Sequence, residues 1–91
     1  MKRLVFGTKF KKDYKRYIHF PKRLEALNEV LRMLESGTEL PANAQPHPLH
    51  GEYEGCMECH IGGDYLLIWI DEKTNTIRLL RLGTHHELFG N

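Results

Sequence analysis

The spacing of apolar positions changes once along this chain, from a helical period in its first part to a strand period in its second. Residues 2–6 (KRLVF) put Leu4 and Phe6 on one face and read as a short strand. Phe10, Tyr14, Tyr17 and Ile18 then recur at i, i+4, i+7 and i+8, one apolar stripe of a helix over residues 9–19 that Thr8 can cap. Lys11, Lys12, Lys15 and Arg16 lie largely away from that stripe. Pro21 breaks this helix and suits the first turn of the next. Leu24, Leu27, Leu31 and Leu34, widened by Ala26, Val30 and Met33, form a second stripe that Gly37 ends. The two predicted helices make a hairpin whose apolar stripes need a sheet to cover.

Residues 38–52 contain Pro41, Pro46, Pro48 and Gly51 and read as an ordered loop. Beyond it the pattern predicts strands over Tyr53–Ile61, Tyr65–Ile70 and Thr76–Leu82. Gly62-Gly63 makes a hairpin turn between the first two, and Asp71–Asn75 turns between the last two. Tyr65–Ile70 (YLLIWI) is apolar on both faces, as a central strand covered on both sides would be. Gly83 ends the last strand, and Thr84 can cap a final turn, HHELF. The expected fold is α+β in the order β-α-α-β-β-β: one domain over residues 1–91, with a small, mostly antiparallel sheet and a helical hairpin on one face. The first strand can join at either side of the meander, and the other sheet face stays partly open.

Composition narrows the class. Apolar residues at 41% and charged residues at 27% are ordinary for a folded domain. No apolar run approaches the roughly 20 residues that span a bilayer, and the opening MKRLVFGTKFKKDY lacks the apolar stretch and cleavage site of a signal peptide. The two cysteines make no disulfide framework, so a reduced, cytoplasmic protein is expected. The net charge of +1 hides an asymmetry, because ten of the 13 Lys and Arg residues fall in residues 1–36 against four acids. A basic face of that kind suits a polyanion such as RNA.

Five of the six histidines, His47, His50, His60, His85 and His86, lie in the C-terminal half. Histidine transfers protons near neutrality. RNA can be cleaved by its own 2′-hydroxyl if one group takes that proton, one protonates the leaving 5′-oxygen and a cation holds the phosphorane charge. His47, His60, Asp64, Arg81 and His85 offer those types. Cys56-Met57-Glu58-Cys59-His60 matches the C-x-x-C-H pattern of haem attachment. On a strand, however, Cys56 and His60 share one face and Cys59 points to the other, which also weighs against zinc. Phe89 lies past the last strand and can either staple onto the core or stack on a base.

Three pieces of the C-terminal half, taken in order, resemble the YafQ branch of the RelE-like toxins. They are His47-Pro48-Leu49 followed by Gly51, then Cys59-His60 leading through Gly62-Gly63 to Asp64, then Arg81-Leu82-Gly83-Thr84-His85 ending in Leu88-Phe89-Gly90. The resemblance is strong over residues 47–90 and one of pattern over residues 1–46. It implies the toxin of a type II toxin–antitoxin pair, an endoribonuclease that cuts messenger RNA on the ribosome with neither metal nor cofactor. On that resemblance the functional positions are His47, His60, Asp64, Arg81, His85 and Phe89. His85 would be the general acid, Asp64, His47 or His60 the base or its orienting partner, Arg81 the phosphate ligand and Phe89 a residue packing near a base. Lys9, Lys11, Lys12, Lys15, Arg16 and Tyr65 would contact RNA or ribosome. Implied partners are an antitoxin, ribbon-helix-helix and DinJ/RelB-like, with operator DNA engaged only through that complex, and no membrane. The competing readings are an inert antitoxin-binding module of the same fold and a Cys/His metal-binding protein. A Tyr at position 65, where the family can carry Trp, leaves base preference open.

Overall fold

The computed structural model of the chain describes residues 1–90. It orders them as β1 (Arg3–Phe6), α1 (Thr8–Tyr17), α2 (Pro21–Ser36), β2 (His47–Pro48), β3 (Met57–His60), β4 (Tyr65–Glu72), β5 (Thr76–Thr84) and α3 (His85–Phe89). The expected β-α-α-β-β-β order holds, with a two-residue strand β2 and the short α3 added. One sheet runs β1-β5-β4-β3-β2. The last strands form an antiparallel meander, while β1 joins its far side parallel to β5.

Local chemistry sets the element ends. Pro21 opens α2, and Gly37 closes it at φ 77°, a left-handed conformation that glycine adopts without strain. Thr8 does not cap α1; it is the helix's first residue, and Gly7 stands at the cap position with no side-chain bond. A Cβ on Gly7 would lie 2.8 Å from the Leu79 carbonyl oxygen, so only glycine lets the chain turn this close over β5. The strand expected over Tyr53–Ile61 is confined to Met57–His60, because Gly51–Tyr53 winds into a 3-10 turn and Gly55 takes φ 91°. Conversely β5 runs through Gly83 to Thr84. Gly83 does not stop the strand. It leaves room for α3 to fold back, since a Cβ there would meet the Glu87 and Leu88 side chains.

The two sheet faces carry unequal cores. Against the helices pack Phe10, Tyr17, Leu27, Val30, Leu31 and Leu34 with Cys59, Ile61, Leu67, Trp69, Ile77, Leu79 and Leu82 from the sheet side. The other face holds a smaller cluster, Cys56, Leu66, Ile68 and Leu88, edged by Leu49, Tyr53, Ile70 and Leu80. Cys56 and Cys59 therefore fall on opposite faces, as strand parity requires, and both are free thiols. One irregularity controls what the open face presents. Ile68 pairs with Arg81 and Trp69 with Leu79, so Leu80 is an extra residue in β5. Strict alternation from the core residue Leu79 would turn Arg81 into the core as well. The bulge resets the phase and puts Leu80 and Arg81 on the open face in succession.

Candidate active site

Strand register assembles the site. Across β3, β4 and β5 the open face carries Glu58, Ile68 and Arg81 in one row and His60, Leu66 and Gly83 in the next. Tyr65 pairs with Thr84, so Asp64 and His85 each stand one residue beyond the strand ends at the same edge of the sheet. With strands about 4.8 Å apart and about 3.3 Å of rise per residue, the His60 and Arg81 backbones stand about 12 Å apart across β4, with Asp64 and His85 at the same end of the sheet.

Arg81 is held from the side. Its Nε donates to Asp13 Oδ2 at 2.8 Å and its Nη2 to Oδ1 at 3.3 Å. The same carboxylate accepts from the Leu82 backbone N–H at 2.9 Å and from Arg16 Nη2 at 3.1 Å. The position of Asp13 follows from topology. β1 leaves β5 at the Phe6–Leu79 pair, so the N–H of Leu82 has no strand beside it, and α1 delivers a carboxylate there instead. Those Asp13 hydrogen bonds raise Arg81 above its ordinary pKa, against the opposing effect of burial, with Tyr53 adding to the rise. The Arg81 side chain remains 19% exposed.

On the far flank of Ile68, His47 is fixed at both ring nitrogens. Nδ1 lies 2.8 Å from the Gln45 carbonyl oxygen and Nε2 lies 3.1 Å from Glu58 Oε1. A carbonyl only accepts, so Nδ1 carries a proton. Glu58 itself is buried, and its Oε2 has no hydrogen-bond partner.

At the sheet edge, α3 begins with a capping box. Thr84 Oγ1 accepts from the Glu87 N–H, and Glu87 accepts from the Thr84 N–H. This fixes the start of the helix, and with it His85. The His85 ring lies 5.0 Å from Phe89, which meets Tyr53 edge-on at 5.9 Å. Phe89 is 39% exposed, leaving part of its ring free. His85, Asp64 and His86 are exposed and His60 is half-buried.

The basic helix divides. Lys9, Lys12 and Arg16 line one shallow cavity of about 420 Å³ together with Asp13 and Arg81, four cations against one carboxylate. Lys11 and Lys15 border a different groove with Phe6, Phe10, Tyr14, Asn28 and Leu31. Tyr65 stands apart from the histidines. Its ring packs edge-on against Tyr17 on the helix side, and its hydroxyl accepts from Arg23. Among the described residues no three His, Cys, Asp or Glu side chains converge to hold a metal ion. Two participants escaped the sequence reading, Asp13 and Glu58. Asp13 had a signal: Phe10, Asp13 and Tyr17 lie on one helical stripe, and an acid on a buried stripe demands a partner.

The family model for the bacterial toxin of type II toxin–antitoxin systems, YafQ, matches residues 2–90. The chain is 32% identical over 89 residues to the mRNA interferase toxin YafQ of Escherichia coli K12, spanning 96% of this chain and 95% of that one. Its structure is similar to that of a metal-bound toxin from Helicobacter pylori, with a TM-score of 0.88 and 36% identity over 98% of this chain and all (100%) of that one. It is also similar to a chain of the E. coli DinJ-YafQ complex, with a TM-score of 0.85 and 28% identity over 99% of this chain and 100% of that one.

Proposed function

The chain belongs to the YafQ family of bacterial toxins of type II toxin–antitoxin systems, and from that premise we propose that it is an endoribonuclease that cuts messenger RNA held in the ribosomal decoding site. One observation carries the proposal: the β3–β4–β5 register puts His60 and Arg81 on the open face, with Asp64 and His85 at the same end of the sheet. In this reading the 2′-hydroxyl of the message attacks the adjacent phosphorus. Arg81 binds the scissile phosphate and steadies its growing charge, a task that suits a planar, multidentate donor. His85 protonates the leaving 5′-oxygen, and Phe89, its neighbour, offers its exposed face to a base. The 2′-proton goes to Asp64 or His60. His47, whose two nitrogens are both engaged, acts as an orienting partner through Glu58 instead of the base. Lys9, Lys12 and Arg16 extend the positive surface from Arg81 along the message or ribosomal RNA. Lys11 and Lys15 belong to a separate face of the helix, and Tyr65 acts only through its packing. The partner when silenced is an acidic antitoxin of the ribbon-helix-helix type, which carries operator DNA contacts for the pair. Action on ribosomes places the protein in the cytoplasm, and no helix of the described residues is long and apolar enough to cross a membrane.

Each acid–base role falls to a side chain, so cleavage of ribosome-bound message survives excess EDTA once ribosome integrity is controlled. Products carry a 5′-hydroxyl and a cyclic or 3′-phosphate, and a 2′-deoxy sugar at the cut site blocks the reaction. His85→Ala lowers the rate by about 10²–10⁴-fold, the usual worth of a positioned acid, whereas His86→Ala does much less. Product ends bearing a 5′-phosphate would sink the mechanism, and a folded protein whose expression leaves growth untouched would favour an inert antitoxin-binding module.

A further inference from the structure

We propose that Asp13 is a positioning residue for cleavage, acting through Arg81. The inference rests on the reading of Arg81 as the phosphate ligand. Asp13 occupies the Nε and Nη2 side of the guanidinium. Asp13 leaves the edge formed by Nη1 and the outward N–H of Nη2 to a phosphate, with Tyr53 the other side chain that bears on the guanidinium. Because Asp13 is 4% exposed and is itself anchored by the Leu82 N–H, the guanidinium plane is referred directly to the backbone of β5. A long side chain that would otherwise sample many rotamers is thereby presented in one orientation. The negative charge does not cancel the site's attraction for phosphate, since Lys9, Lys12 and Arg16 border the same cavity. The arrangement predicts that lysine is a poor substitute at position 81: a single ammonium has no second edge to offer while it pairs with Asp13.

The test is a double-mutant cycle on cleavage of ribosome-bound message. Asp13→Asn keeps the shape and an oxygen for the Leu82 N–H but loses the charge that orients Arg81. Alone it lowers kcat by about 10–100-fold, the scale of a misplaced group, while KM changes less than about threefold. In the Arg81→Ala background the same substitution lowers the residual rate by less than about threefold, because the group it positions is gone. Added guanidinium ion restores part of the Arg81→Ala activity when Asp13 is present and none when Asp13→Asn is added. Equal losses in both backgrounds would make Asp13 merely structural and overturn the inference, as would a wild-type kcat for folded Asp13→Asn. An Arg81→Ala variant that cleaves at the wild-type rate would instead overturn the functional reading beneath it. Should Asp13→Asn fail to fold, nitrogen-resolved NMR of the wild-type chain reads the same orientation. The Arg81 Nε–H gives a slowly exchanging signal with separate Nη environments, and a signal averaged like those of exposed arginines contradicts the proposal.

Discussion

Two buried carboxylates bracket the sheet, Asp13 from α1 at the free edge of β5 and Glu58 from β3, and they are satisfied to different degrees. Asp13 and Glu58 are nearly equally buried, at 4% and 6% exposed. Asp13 receives Arg81 on both oxygens, Arg16 and the Leu82 backbone N–H. Glu58 has His47 on one oxygen and nothing on the other. Removing a carboxylate from water is compensated only when its lone pairs find donors. Asp13 meets that condition and completes a sheet edge besides. Glu58 does not, so stability gives no reason for a carboxylate there, and its contribution is what it does to His47. Polar groups left half-satisfied in a folded chain concentrate at working sites.

Removing the satisfied carboxylate has the largest expected effect on stability. Asp13→Ala leaves a partly buried guanidinium and a backbone N–H without their acceptor, and breaking a buried pair in this way destabilises by about 3–5 kcal/mol. Urea denaturation reads this as a lower midpoint with an unchanged slope. A loss below about 1 kcal/mol would place Asp13 with ordinary surface ion pairs and erase the contrast.

Glu58 behaves oppositely. Glu58→Leu replaces an orphaned oxygen with apolar surface beside Ile68, and stability stays level or rises by about 1 kcal/mol. Cleavage nevertheless falls by about tenfold, because His47 keeps only its Gln45 contact and loses its fixed orientation, the effect expected of a displaced polar group near the reacting atoms. A Glu58→Leu protein that is both less stable and fully active would show that the pair is structural after all.

The same contrast explains how much the sequence disclosed. Periodicity located both long helices, the meander and the capped last turn, because those signals are local: Pro21, Gly37, Gly62-Gly63 and Thr84 each act on their immediate neighbours. Strand parity separated Cys56 from Cys59 for the same reason. What stayed hidden depends on partners distant along the chain. The β5 bulge that turns Arg81 outward has no marker in the run Leu79-Leu80-Arg81-Leu82. Asp13 meets Arg81 only because β1 ends early and α1 passes the vacated edge, 68 residues away in sequence. Tyr65 was expected at the RNA surface on the analogy of an aromatic beside Asp64, yet its side chain faces the helices and Arg23. Local signals were thus legible in the sequence, and pairings between residues distant along it were not.

The smallest expected effect follows a third way of burying an ionisable group, which is to keep it neutral. Cys59 adjoins Glu58 in sequence but points into the helix-side core. Burial first, and the Glu58 charge second, push its thiol from 9.0 up to about 12. The folded state therefore holds its proton where the unfolded state has lost it. Stability from this group is intact below about pH 9 and drains away as pH rises toward about 12. Tyr17, whose buried hydroxyl has no partner, is likewise raised from 10.0 to about 12 and adds a second decline that begins about one unit higher. Unfolding free energies measured by urea between pH 8 and 10 isolate the cysteines. Cys59→Ala flattens the fall there relative to the wild-type chain, and an unchanged slope would mean that the thiol ionises in the folded protein. Glu58→Gln separates the two causes of the rise in Cys59. Removing that neighbouring charge lets Cys59 ionise at slightly lower pH and softens the alkaline decline. A decline left as it was would mean that burial alone holds the thiol neutral.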